Sequence, residues 1–119
     1  MNATELMIGD WVIGLSNVPR RVQGVRDYNL ENVVLADHWV NCDDIRPIPI
    51  TPDILEKNGW HFDDLFGEWY SNNKAMKLYG RDCSSLSMLD GSIIVGYVHE
   101  LQHILRLCGL DELAENFRV

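Results

Sequence analysis

The sequence is short of positive charge: ten Lys and Arg stand against 18 Asp and Glu, for a formal net charge of −8. The acidic excess runs along the whole chain, with 4 basic against 7 acidic residues in 1–50 and 6 against 11 in 51–119. Binding nucleic acid through its phosphates needs a positive footprint, so the overall field disfavours that class. Cysteine is scarce as well. Cys42, Cys83 and Cys108 are odd in number and contain no C-x-x-C pair, which argues against a disulfide framework or a cysteine zinc knuckle and fits reduced thiols in a cytoplasm. No stretch approaches the roughly 18 apolar residues of a membrane span. The opening "MNATELMIGDWVIG" has neither the positive n-region nor the apolar h-region of an export signal. We therefore read the chain as soluble, cytoplasmic and without a membrane partner. A glycine-rich phosphate loop is missing, Ser84, Ser85 and Ser87 lack a G-x-S-x-G setting, and Cys83 has no identifiable partner. Nucleotide chemistry and nucleophilic hydrolysis are disfavoured accordingly.

What is present describes an ordinary globular chain. At 119 residues, 46% hydrophobic and 24% charged, it is sized for one compact domain or two very small ones sharing a core. "DWVIGL" (10–15), "RRVQGVRD" (20–27), "NVVLAD" (32–37) and "HWVNC" (38–42) are β-branched or aromatic runs cut by turn residues, the pattern of a small, strongly bent antiparallel barrel of SH3-like type over residues 1–50. In "IRPIPITPDILEKNGW" the prolines at 47 and 49 predict an extended segment outside any ladder. Thr51 as N-cap, Pro52 at the first helical position and Gly59 past the end predict a helix of about two turns. From Trp60 strands return in "WHFDD", "GEWYSN", "KAMKLYG", "SSLSML" and "SIIVGYV", with Asp90-Gly91 as a hairpin turn. Residues 51–119 thus read as an antiparallel meander with a linking helix and a C-terminal helix, and the whole chain as α+β.

The terminal helix carries the one motif with chemical content. His99-Glu100-Leu101-Gln102-His103 is a literal H-E-x-x-H. Two histidines at i and i+4 lie one turn apart, so both imidazoles can reach one Zn²⁺, and Glu100 could serve as general base on a metal-bound water. On a wheel, Tyr97, Val98, Leu101, Ile104, Leu105 and Cys108 share an arc of about 120° at 100° per residue. His99, His103 and Arg106 fall opposite, with Gln102 at the edge. This predicts histidines on a solvated face, turned away from the sheet. The motif lacks a third histidine, and its third ligand would have to come from Asp111, Glu112 or Glu115. Glu115 is the best placed of these if Gly109 and Leu110 turn the chain back.

"ELMIGDWV", "IRPIPITPDILEKNG" and "YVHELQ", in that order, resemble a group of small uncharacterised proteins encoded by gut-bacterial prophages and mobile elements. The resemblance covers Glu5 to about Gly109. It implies an accessory role in a mobile element and supplies no activity. In that group the residue after the glutamine of "YVHELQ" is often not histidine, which would make His103 a local feature of this chain.

Three functional readings follow. The first is a non-enzymatic accessory or interaction protein that contacts a protein partner through its barrel or a sheet edge, with no cofactor. The second is a minimal zinc metallopeptidase with His99, His103 and Glu115 as ligands and Glu100 as base. The third is a nucleic-acid-binding barrel, in which Arg20, Arg21 and Arg26 form a local basic patch and Trp11, Tyr28 and Trp39 offer stacking surfaces. The acidic pairs Asp43-Asp44 and Asp63-Asp64 read as solvated turn residues. The first reading is the one adopted, because no complete catalytic set can be assembled.

Overall fold

A computed structural model describes residues 5–14, 16–25, 32–35, 38–72, 74–88 and 93–119. The chain is α+β, with two antiparallel five-stranded sheets and three α-helices among the described residues. The first sheet comprises β1 (Trp11–Ile13), β2 (Pro19–Val25), β3 (Asn32–Leu35), β4 (His38–Asn41) and β5 (Arg46–Pro47), in the order β4-β3-β2-β1-β5. A 3₁₀ turn, Cys42–Asp44, links β4 to β5, with the Asn41 side chain accepting from the Asp43 N–H at 2.9 Å. The register of β2 against β3 shifts between Val22 and Gly24, an extra residue that bends the strand. Each predicted run in this half contains a strand; Arg26, Asp27, Tyr28 and the end of "NVVLAD" lie outside the described residues.

One expectation for this region is overturned. Pro47 was expected outside the ladder, yet it stands opposite Val12, and Arg46 opposite Ile13, in an antiparallel pair with β1. The reason is position: β5 is the edge of its sheet, where a residue without an N–H costs no interior ladder bond.

Helix α1 (Pro52–Lys57) follows as its capping residues predict. Thr51 Oγ1 accepts from the Ile54 N–H at 3.2 Å, Pro52 opens the first turn, and Gly59 takes φ +82°. The second sheet then runs as a meander of β6 (His61–Asp63), β7 (Glu68–Tyr70), β8 (Lys77–Tyr79), β9 (Leu86–Met88) and β10 (Ile93–Val95), each strand beside its sequence neighbours. Asp90-Gly91 lies outside the described residues. Helix α2 (Val98–Leu107) begins three residues past β10, and Gly96 at that junction has a physical reason: a Cβ there would sit 2.4 Å from the Ser84 carbonyl oxygen. Gly109 (φ +76°) turns the chain into α3 (Asp111–Glu115).

Apolar burial forms two clusters. A small one, including Val12, Val22, Val33 and Leu35, gathers on the first sheet. A larger one gathers α1, the second sheet, α2 and α3 around Leu55, Trp69, Leu78, Leu101, Leu105 and Phe117. Trp11 and Ile13, from β1, pack against the larger cluster, so β1 is shared by both halves. Among the described residues no helix is long and apolar enough to cross a membrane.

Candidate functional site

The middle of the apolar stripe of α2 is buried as the wheel predicts, with Val98, Leu101, Ile104 and Leu105 covered, whereas Tyr97 and Cys108 at its two ends are exposed. The opposite face is a correction. His99 and Gln102 are buried at 7% and 0% exposure, and His103 and Arg106 keep only 26% and 13% of their side chains exposed. Most of that face is withdrawn from solvent because β1 and the turn before it lie against it. A helix held between two layers needs a second buried face, and this one is built from hydrogen bonds instead of apolar contacts.

The turn that meets the helix is tightly specified. Gly9 adopts φ +95°, its N–H reaches the Val22 carbonyl at 2.8 Å, and the Asp10 N–H reaches the Met7 carbonyl at 3.1 Å. Asp10 is thereby carried, fully buried, under α2. Its Oδ2 accepts from the Met7 N–H at 2.8 Å and lies 2.5 Å from His103 Nε2, while its Oδ1 accepts from Arg106 Nη1 at 2.7 Å. Arg106 Nη2 also reaches Glu115 Oε1 at 3.6 Å. Beside this node, Gln102 Oε1 accepts from the Trp11 N–H at 2.9 Å, and its Nε2 donates to the carbonyls of Gly9 (3.0 Å) and Ala114 (3.2 Å). A buried carboxamide is tolerated here because both ends find partners.

The H-E-x-x-H residues are therefore divided among different tasks. Glu100 turns back over the helix N-terminus, where Oε1 accepts from the N–H groups of Gly96 (3.0 Å) and Tyr97 (3.1 Å). This is a first-turn carboxylate satisfying backbone donors that have no partner within the helix. His103 is committed to Asp10. His99 stacks on Tyr97 with ring centroids 6.1 Å apart and meets the His103 ring edge-on at 5.7 Å. Its Nδ1 is buried without a hydrogen-bond partner. Burial pushes the His99 pKa below its ordinary value, against an upward pull from the carboxylates of Asp10, Glu100 and Glu5 and with a smaller downward push from His103. Glu115 is half exposed on α3 and faces Arg106, not the histidines. Glu112 lines a separate hollow with Lys57, Asn58 and Trp60. Among the described residues no three His, Cys, Asp or Glu side chains are grouped so as to hold a metal ion.

An open hollow of about 490 Å³ lies over the first turn of α2, lined by Glu5, Pro47, Tyr97, His99, Glu100 and His103. No lysine or arginine is among its lining residues.

The basic patch of the first half is partly occupied. Arg20 is exposed, whereas Arg21 donates to the carbonyls of Glu115 (2.5 Å) and Phe117 (2.9 Å) and lies over the Trp11 ring at 5.0 Å. Trp11 Nε1 donates to the same Phe117 carbonyl at 2.7 Å, so this tryptophan is a tie between the halves. Arg26 and Tyr28 lie outside the described residues. Trp39 is 59% exposed on β4. Cys83 is buried, and burial followed by the nearby Asp82 charge pushes its thiol pKa up, away from nucleophilic thiolate.

Sequence reasoning passed over three features. Asp10 and Gln102 act across 93 residues of sequence separation, and no local signal announces such partners. The third was visible: "DDLFGE" places two large apolar residues inside a turn. Leu65 and Phe66 are 81% and 69% exposed at the tip of the β6–β7 hairpin.

Comparison of the chain with protein-family models, with curated proteins and with solved structures finds no match.

Proposed function

We propose that the chain is a non-enzymatic protein-interaction module whose main contact element is the Leu65–Phe66 hairpin tip. The observation that carries this reading is that the tip is held by groups other than those it displays. Asp63 Oδ1 accepts from the Leu65 N–H at 2.9 Å, the Asp63 carbonyl accepts from the Gly67 N–H at 2.8 Å, and Arg81 Nη2 donates to the Asp64 carbonyl at 2.9 Å. Gly67 supplies the φ of +64° that the turn requires. Any polar pair would complete this turn, so a leucine and a phenylalanine there are explained by what they meet in a complex. Burying each would contribute about 1.5–3 kcal/mol, the behaviour of an interface anchor. The tip is flanked by charges of both signs, with Arg81 beside Asp64 and Lys77 3.8 Å from Glu68, so the complementary surface is an apolar cleft with a polar rim.

The first sheet contributes to the same reading. Its strand order β4-β3-β2-β1-β5, with a 3₁₀ turn before the last strand, supports an SH3-like barrel. Trp39, 59% exposed on β4, is a secondary contact residue on it. The resemblance noted above supports placing this interaction role in an accessory protein of a mobile element.

The metallopeptidase reading would require His103 to leave Asp10, Glu115 to leave Arg106, and Glu100 to release the helix N-terminus. The nucleic-acid reading would require Arg21 to abandon two backbone carbonyls. The first has in its favour the adjacency of His99 and His103 in one hollow with Glu100, without a third ligand among the described residues, and the second has residue type alone.

The test is a double variant, Leu65→Ser with Phe66→Ser, compared with the natural chain by quantitative crosslinking in extract of the source cells. The expected result is an unchanged melting temperature and loss of the specifically crosslinked partner. An identical crosslinked set from both proteins would refute the reading.

A further inference from the structure

The hollow at the N-terminal end of α2 is a second feature that the fold does not require, and its lining has a definite chemical sense. Glu5 and Glu100 supply carboxylates, Tyr97 a 41% exposed phenol ring, and His99 and His103 imidazole edges, over the pyrrolidine of Pro47. Arg106, the nearest arginine on the helix, is turned to Asp10, Glu115 and the Ile8 carbonyl. The guest implied by such a lining is a cation, and the net charge of −8 attracts one over distance.

Three details narrow the class. Both backbone bonds made by Glu100 go to Oε1, which leaves Oε2 to a guest without loosening the helix start. His99 is more than nine-tenths buried, with Nδ1 lacking a partner, and its lowered pKa keeps it uncharged at neutral pH, so it brings no repulsion against a cation. Tyr97, 41% exposed, is stacked on the buried His99 ring at 21°, which holds the phenol ring in place and leaves its outer face as a platform. A planar cation can stack on such a platform while donating to a carboxylate in its own plane. Guanidinium has both properties, and ammonium has only the charge. A transition-metal ion would need three converging ligands, and no such group occurs among the described residues.

We infer that this hollow receives the guanidinium group of an arginine side chain carried by the protein partner. The inference rests on the interaction reading above and deepens it: the partner presents an apolar cleft to Leu65 and Phe66 and an arginine to Glu5, Tyr97 and Glu100. The hollow is open, so a side chain can enter it from a docked surface.

The full chain is titrated at low ionic strength with acetyl-arginine amide while the His99 and Tyr97 ring resonances are followed by NMR. The uncharged acetyl-citrulline amide and zinc chloride are titrated in parallel. Saturable shifts are expected with the arginine probe, at least about tenfold weaker with citrulline, and weaker by about threefold to tenfold in Glu5→Gln, which removes one charge-assisted contact without touching the helix cap. Equal response to citrulline, or absence of any response to arginine, overturns the inference. Stoichiometric zinc taken up through His99 and His103 in preference to the arginine probe also overturns it. The same titration of the Leu65→Ser, Phe66→Ser variant should match the natural chain. Failure of the probe therefore counts against the hollow alone, and failure of the crosslinking experiment counts against the hairpin tip.

Discussion

At the scale of single residues, the decisive group is Asp10, a carboxylate with no solvent exposure whose charge is balanced by Arg106 and bonded to His103 and the Met7 N–H. Removing one member of a buried charged set leaves the other uncompensated, which costs more than the set contributes when intact. Asp10→Asn should therefore destabilise the chain by about 3 kcal/mol, read as a lower urea midpoint at constant slope. Adding Arg106→Leu should cost less than the two single losses combined, because the charge left behind is then gone. His99 gives a pH prediction. Its pKa in the folded chain lies below the ordinary 6.5, so as pH falls the unfolded chain takes up the proton first, and stability present above 6.5 is lost on descent through the folded value. The loss runs at up to about 1.4 kcal/mol per pH unit. His99→Phe should lack this component, so the stability difference between variant and natural chain should move in favour of the variant between pH 7 and pH 5. A difference constant over that range would show that His99 is not held neutral by burial. Neither residue's environment was legible in sequence. The wheel puts His99 opposite the apolar stripe, and only the arrival of β1 on that face buries it.

At the scale of elements, local rules carried far. The helix over 52–57 followed from Thr51, Pro52 and Gly59, and the strands followed from alternation between turn residues, because these signals act within a few residues of the element they specify. The start of α2 obeys the same logic through a different residue. Tyr97 stands at its N-cap without a side-chain cap bond, and Glu100, one turn in, accepts from the Gly96 and Tyr97 N–H groups instead. The glutamate that gives the motif its catalytic look is therefore explained by helix initiation. Glu100→Ala should cost about 1 kcal/mol, the usual worth of a cap. Glu100→Gln should cost clearly less, since an amide oxygen still accepts both bonds. Thermal unfolding of the two variants checks the order, and equal losses would show that the charge, not the bonding, is what the helix start uses. Pro47 shows where local rules stop: its chemistry was read correctly, but the edge position that makes it tolerable is a property of the sheet.

At the scale of the whole molecule, the question is what makes two sheets with separate apolar clusters into one structure. Among the described residues, only Trp11 and Ile13 bring apolar surface from the first sheet into the larger cluster. The remaining ties are polar: Gln102 to Trp11, Gly9 and Ala114; Asp10 to His103 and Arg106; Trp11 and Arg21 to the Phe117 carbonyl. Hydrogen bonds of this kind contribute little net stability when satisfied and cost about 1–3 kcal/mol each when a buried partner is left alone. Their main effect is on cooperativity, because opening either half strands the polar groups of the other. In the natural chain, amides of β2–β3 and of β7–β8 should thus exchange through the same global opening, with one shared free energy. Gln102→Leu keeps the volume but strands the Trp11 N–H and the Gly9 carbonyl, while the Ala114 carbonyl keeps its α3 C-terminal donors, and it should cost about 2–3 kcal/mol. Combined with Asp10→Asn, it should also split the exchange, with β2–β3 amides opening at a lower free energy than β7–β8 because the smaller cluster no longer borrows stability from the larger one. Should the two sheets already exchange independently in the natural chain, the polar face of α2 would be an accommodation between neighbours and not the coupling argued for here.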